Sequence, residues 1–455
     1  MAVWNSVSLS ELRGTFRLDA EFWQPEYLDV EAVLLAQSHD RLGDLVTSVR
    51  KGVFNILADS YVDDGVPFYR SSNVGKIFPK EGGLVFITPK RHAEESKTAL
   101  RRGDIMLAKT GKEAASVVLR EECNVSQDVV AVRPNRQRIN PFYLAVFLNT
   151  RFGVSQMRRW FQGQVQAHLS LPDSRQILVP LLSPQFQSKI ESKIHDAERA
   201  LADAHTRLHD AEELLVSKVG LSHVDASDSL HYTRRFSDFE AANRFGAEYF
   251  MPSKQRMLDA LLAQSNGPLS KHYRSVRDLF DPKSVTDAGF VRNFDLNDAL
   301  DVVLDDRMAP MPAVEVGSTK KYLQTGDVVI SRLRSYLREI AIVRTTADVP
   351  TVGSTEFIVF RQLPKGTSRL TPETLFIYLR SLLVQTMLKW SQDGSQHPRF
   401  NEDDLFALPV PRAVESVSKQ VDTLVNKAII ARAEASRLLD EAKSDVERMV
   451  LKAAK

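Results

Sequence analysis

The chain repeats itself, and that constrains its architecture more than any local propensity does. The segment Arg17-Leu-Asp-Ala20-Glu21-Phe22-Trp23-Gln-Pro25 returns as Arg244-Phe-Gly-Ala247-Glu248-Tyr249-Phe250-Met-Pro252, 227 positions later. The same displacement carries Leu42 to Leu269 and Ser48-Val49-Arg50 to Ser275-Val276-Arg277. Gly103-Asp104-Ile105 matches Gly326-Asp327-Val328, and Ser126-Gln-Asp128-Val-Val-Ala-Val-Arg133 matches Ser354-Thr-Glu356-Phe-Ile-Val-Phe-Arg361. Pro141, Trp160, His168 and Pro180 then find Pro372, Trp390, His397 and Pro409 in the same order. Collinear matches with small drifting gaps mean two copies of one unit, each of roughly 220 residues.

Each copy opens with short β-type runs between Gly, Pro and charged turns. Val66-Pro-Phe-Tyr69, Gly83-Leu-Val-Phe-Ile87, Asp104-Ile-Met-Leu-Ala108 and Val129-Val-Ala-Val132 are examples. This predicts a compact, mainly β globule with a few helices. Then the period changes. From Pro184, apolar residues fall at Ile190, Ile194, Ala197, Leu201, Ala204, Leu208, Ala211 and Leu215, and Gly220 closes the run. From Pro411 they fall at Val414, Val417, Val421, Leu424, Ala428, Ala431, Ala435, Leu438 and Ala442. Alternating steps of three and four without interior Gly or Pro predict two heptad helices, each about 50 Å long at about 1.5 Å per residue. Proline suits both starts. Two Ala-rich seams in one chain satisfy each other, so an intramolecular antiparallel pair is expected, holding the two globules apart.

The 455 residues suit two or three domains, each with its own core. With 60 Lys and Arg against 58 Asp and Glu, the chain is no polycation, although local basic surfaces remain possible. One cysteine, Cys123, excludes an intramolecular disulfide and a Cys-based zinc site, which points to a reducing cytoplasm. The start of the chain lacks a signal-peptide pattern, and no stretch is apolar enough for a membrane span.

The order of globule, long helix, globule, long helix resembles the DNA specificity subunit of type I restriction-modification systems. The resemblance covers nearly the whole chain. It rests on Val66-Pro67-Phe68-Tyr69-Arg70, on Gly103-Asp104-Ile105-Met106-Leu107-Ala108-Lys109 with Gly326-Asp327-Val328-Val329-Ile330-Ser331-Arg332, and on Ile177-Leu178-Val179-Pro180-Leu181 with Phe406-Ala407-Leu408-Pro409-Val410. It implies a fold of α/β (α+β) class, with two mainly β target-recognition domains at residues 1–181 and 223–409. The helices, at 182–222 and 410–455, would be antiparallel coiled-coil spacers. Each domain would read one half of a bipartite site on double-stranded DNA. The helices, through Ile194, Leu201, Leu208, Leu215, Val421, Leu424 and Leu438, would set the spacer and dock two adenine-methyltransferase subunits. Those partners would bind S-adenosylmethionine and flip the target base, and restriction motor-nuclease subunits would cut. The chain itself is expected to be non-catalytic, with no cofactor and no metal.

The residues expected to touch DNA are cations beside polar turn formers. They are Arg70 with Ser71, Ser72 and Asn73, then Lys109 and Lys112 in copy one, against Arg292 with Asn293, then Arg332, Arg334 and Arg338 in copy two. Between residues 80 and 140 there are 12 Lys or Arg against 8 Asp or Glu, whereas residues 184 to 221 carry 5 against 7. Charge therefore favours the first globule as a polyanion binder. The loops from Asn73 to Arg101 and from Leu296 to Leu323 diverge while the framework matches, as expected of two domains reading different half-sites.

Several patterns imitate chemistry. Asn140-Pro141-Phe142-Tyr143 resembles the loop by which methyltransferases grip adenine, but copy two has Thr371-Pro372-Glu373-Thr374, and a helix start explains both. Pro172-Asp173 with Glu191-Ser192-Lys193 imitates a nuclease metal site, and Lys109-Thr110-Gly111-Lys112 the tail of a phosphate loop. His205 and His209 have ligand spacing on one helix face, yet without a nearby cysteine they read as solvated. The competing functional classes are a coiled-coil assembly scaffold without DNA specificity and a self-contained methyltransferase or nuclease.

Overall fold

The computed structural model describes residues 6–8, 12, 17–54, 56, 60–162, 168–221, 231–284, 289–364, 370–394 and 397–454. The expected boundary between 222 and 223, and much of the amino-terminal stretch, lie outside them. The chain divides into two compact units, Met1–Ala200 with Ala433–Lys455, and Leu201–Arg432. Each long helix is thus shared between units, which differs from the four consecutive segments suggested by the sequence. No helix among the described residues is long and apolar enough to cross a membrane.

The first unit is built on an antiparallel sheet in the order Val46–Lys51, Val129–Pro134, Ile105–Ala108, Ala115–Val117. A second sheet contains Tyr61–Val62, Val85–Ile87, Val66–Tyr69 and Asn124–Val125, its last pair parallel. The second unit repeats the central order with Tyr273–Ser275, Phe357–Gln362, Val328–Ser331 and Ile340–Arg344, and adds Val303–Asp305 at the edge. Its other sheet runs Leu279–Phe280, Lys320–Leu323, Thr351–Ser354, Phe290–Phe294, Met311–Pro312. The central strands are buried on both faces and read as runs without polar alternation, such as Ile105-Met-Leu-Ala108, Val129-Val-Ala-Val132 and Phe357-Ile-Val-Phe360.

The repeated Gly-Asp has one physical cause in both units. Gly103 and Gly326 hold left-handed backbone at φ 87° and 92°, where a Cβ is strained. The next residues, Asp104 and Asp327, are 1% and 2% exposed. Each carboxylate accepts the N–H that closes its own turn, from Arg101 at 3.0 Å and from Gln324 at 2.8 Å. Each is also gripped by the repeat's matched arginine, Arg133 Nη2 at 2.9 Å and Arg361 Nη2 at 2.8 Å. The two motif halves found in the sequence are therefore partners in space. Tyr143 and Tyr378 likewise donate to the carbonyls of Pro180 and Pro409, fixing each globule to the strand that leads into its long helix.

The first long helix, Pro184–Val219, starts at its predicted proline. The second does not: Arg412–Ser416 is a separate short helix, Val417 (φ −97°, ψ 1°) breaks the spiral, and the long helix is Ser418–Ala453. In the first unit Lys193 donates to Glu441 at 3.1 Å and Asp445 at 2.9 Å, so the start of one helix meets the end of the other. In the second unit Ala211, Leu215 and Val219 share one core with Val414, Val417, Val421 and Val425. Both contacts require an antiparallel pair. Ala197, Ala204 and Ala211 on one helix and Ala428, Ala435 and Ala442 on the other are all buried at seven-residue spacing. Ile194, Leu215 and Val421 are buried as expected, whereas Leu201, Leu208, Leu424 and Leu438 are half-buried at the seam's margin. Val425 takes the buried place assigned to Leu424, because a straight helix drifts about 20° per heptad against a strict seven-residue repeat.

Candidate nucleic-acid interface

In each unit the strand after Gly-Asp turns back through a loop whose first residue is a cation held in a fixed frame. Ala108 N–H donates to Ala114 O and Ser331 N–H to Glu339 O, both at 2.9 Å, closing the two loops. Lys109 N–H donates to Asp128 O at 3.1 Å, as Arg332 N–H does to Glu356 O at 3.1 Å. Their carbonyls accept from Leu169 N–H at 2.8 Å and Phe400 N–H at 3.2 Å. One backbone frame therefore presents Lys109 in one copy and Arg332 in the other. It also pairs His168 with Arg399, because Thr110 bridges His168 and Leu333 bridges Arg399. The sequence match of His168 to His397 is two residues out, so Arg399 carries no signal in the repeat.

In the first unit this loop lies against the turn Ser71–Asn73. Lys112 Nζ lies 3.4 Å from Ser72 O, and its pKa is pushed down by burial and by the neighbouring Lys80. Arg70 Nη2 donates to Gly83 O at 2.7 Å and stays exposed. Arg102, Arg120, Arg133, Arg138 and Arg158 of this unit all have a carboxylate partner. Arg70, Lys80, Lys109 and Lys112 have none within 4.0 Å among the described residues. Cations left unpaired on two adjoining loops make a site for an external anion. Lys80 has no signal in the sequence, because only the fold brings residue 80 beside residue 112.

Asn73 does not belong to that surface. Its buried side chain accepts from Arg70 N–H at 3.1 Å and donates to the carbonyls of Lys80 and Gly82 at 3.0 and 3.1 Å. It builds the turn that displays Arg70 and Ser72, and Ser72 is exposed.

In the second unit Arg332 Nε lies 2.7 Å and Arg399 Nη2 3.1 Å from the two oxygens of Glu356. Burial raises the Glu356 pKa, but the hydrogen bonds from Arg399 and Arg332 outweigh it and bring the group to about 2. Two guanidinium groups sharing one carboxylate leave a net positive charge. Arg334 Nη2 lies 2.8 Å from His397 Nδ1. Lys321, on the adjoining sheet, is pushed down by burial, with Arg332 and Arg277 nearby adding to the effect. Arg338 points elsewhere, 3.8 Å from Glu212 of the first long helix.

Arg292 is the clearest correction. It is 4% exposed, with Nη1 and Nη2 donating to Asp348 at 2.8 and 3.0 Å and Nε to Met308 O at 3.1 Å. It is a buried strut of the sheet, and Asn293 beside it is half-buried on the same strand. The structural counterpart of Arg70 is Asp295. Both follow the strand that pairs in parallel with the same framework strand, and both backbone N–H groups are capped from three residues on. Matching arginine to arginine gives the wrong register.

The catalytic imitations resolve into ordinary contacts. Asn140 caps its helix through the N–H groups of Phe142 and Tyr143 and donates to Glu191 at 2.8 Å. Asp173 is held by Ser170 and Gln162, and Lys193 by Glu441 and Asp445, so these groups do not converge with Glu191. Lys109–Lys112 is a hairpin turn with Gly111 at φ 77°. His205 and His209 are exposed, and His209 pairs with Glu213 at 3.3 Å. Among the described residues no group of three or more His, Cys, Asp or Glu is placed to hold a metal.

No family model matches the sequence, and no curated protein does. Solved structures similar to the chain include the S subunit of a type I restriction-modification system from M. genitalium, at 12% identity and TM-score 0.38, covering 92% of this chain and 95% of that one. The HsdS subunit from Thermoanaerobacter tengcongensis is similar at 15% identity and TM-score 0.29, covering 92% and 96%. A structure of a type I restriction-modification assembly is similar at 14% identity and TM-score 0.28, covering 91% and 96%.

Proposed function

We propose that the chain is the DNA specificity subunit of a type I restriction-modification complex in the cytoplasm. Each unit reads one half of a bipartite site on double-stranded DNA through the loops described above. The paired helices set the spacer between the halves and dock two adenine-methyltransferase subunits. Those subunits carry S-adenosylmethionine and the chemistry, and restriction motor-nuclease subunits complete the complex. The reading is supported by a duplicated framework that presents a cation at the same place in both copies, while the surrounding loops differ. The observation that carries it is the group Arg70, Lys80, Lys109 and Lys112, four cations on two adjoining loops without a carboxylate partner among the described residues.

The test is duplex binding by the chain, with its methyltransferase partner, across about 50 to about 200 mM salt. A logarithmic affinity that falls linearly with log salt, and a target duplex preferred over a scrambled one, is the expected outcome. An assembly scaffold would show neither.

A further inference from the structure

Phe54 stands 63% exposed at the end of the first unit's central sheet, in a place where the chain is firmly anchored. Gly52 N–H donates to Val129 O at 3.1 Å and Val53 N–H to Val125 O at 2.8 Å. Val53 is itself buried and bridges Ser126. A Cβ on Gly52 would stand 2.2 Å from Ser126 O and 2.4 Å from Val125 O, so only glycine lets the backbone pass this close. The phenyl ring is therefore displayed by a fixed backbone, and burying it inside the unit would require breaking that anchor.

Its surroundings say what it is displayed toward. The segment 125–129 that anchors it also receives the two loops of the cationic surface. Ser126 N–H donates to Tyr69 O at 2.9 Å, just before Arg70, and Asp128 O accepts from Lys109 N–H at 3.1 Å. Lys51 Nζ lies 5.1 Å from the ring centroid. A large apolar group with Lys51 beside it, on the segment that also anchors the loops of Arg70 and Lys109, is costly to leave in water and matches a polyanion with apolar interior edges, which is the chemistry of a DNA groove. Carried onward from the registers that set Ser48 opposite Arg133 and Arg274 opposite Arg361, the place of Phe54 falls to Phe280 in the second copy, which is buried at 5% exposure, so an exposed ring at this place belongs to the first copy, as a half-site-specific contact must.

We propose that Phe54 is an apolar base contact of the first unit, packing against base-pair edges within the half-site while the neighbouring cations hold the phosphates. This rests on the DNA-reading function proposed above and adds a specificity-determining residue to it.

The test is a selection on randomised duplexes with the chain and its methyltransferase partner, comparing wild type with Phe54→Ala and Phe54→Leu. Phe54→Ala should relax the preference at one or two adjacent positions of one half-site by about tenfold and leave the other half-site and the salt slope unchanged. Phe54→Leu should retain most of the preference. The thermal midpoint of Phe54→Ala should match wild type, since the ring is exposed. An unchanged preference at every position, or an even loss across both half-sites, overturns the assignment while wild-type selectivity stands. Absence of any selectivity in wild type overturns the DNA-reading function and this inference with it.

Discussion

Changing Arg70, Lys80, Lys109 and Lys112 together to glutamine should weaken binding of a target duplex by about a thousandfold, at roughly 1 kcal/mol for each positive charge taken away. The four side chains are exposed or half-buried, and none has a carboxylate within 4.0 Å among the described residues. Removing them therefore leaves no orphaned buried charge, and the thermal midpoint should stay near wild type. The slope of log affinity against log salt should become shallower by about 0.9 for each phosphate no longer neutralised. On the proposed function the weakening should fall on the half-site assigned to the first unit, because the second unit presents its own arginines on its own loop. Unchanged affinity and slope, in a variant shown to be folded, would remove this surface from the interface.

The largest stability effect is expected inside the second unit. Asp327→Ala should destabilise it by about 3 kcal/mol, because it strips a buried turn of its acceptor and leaves Arg361 without its partner. For a unit of this size that corresponds to a fall of roughly 6–12 °C in its melting transition. Asp104→Ala should cost less. The Arg133 side chain is 38% exposed against 16% for Arg361, so water can solvate the guanidinium once the carboxylate is gone. Thermal denaturation of the two variants decides this, and a larger destabilisation for Asp104→Ala would contradict the assignment of burial as the cause.

What the sequence reveals follows from which residues touch. Gly103-Asp104 and Arg133 stand out as repeated motifs because they are mutual partners, and the strand Val66–Tyr69 and the helix from Pro184 follow directly from period and proline. The errors have a common form. Residue likeness equates Arg70 with Arg292, and His168 with His397, whereas hydrogen-bond registers pair them with Asp295 and Arg399. Asn73 has the composition of a DNA contact but is consumed by its own turn, and composition does not say whether a polar group is already satisfied. Lys80 and Phe54 are beyond the reach of sequence patterns. Their significance depends on loops from residues 52–54, 70–83 and 109–113 meeting at one sheet end, a tertiary fact without a local signature. The sharing of each long helix between two units is of the same kind, since heptads disclose a seam but not which globule each turn supports.

If one chain carries two readers of different sequences, its mark on a genome should be bipartite. Mapping adenine methylation in cells that contain this chain with its methyltransferase partner tests it most directly. The expected result is a single modified motif made of two unlike specific halves separated by an unspecified spacer of fixed length, which vanishes when the chain is removed. A contiguous motif, or methylation whose sequence context is indifferent to this chain, would contradict it.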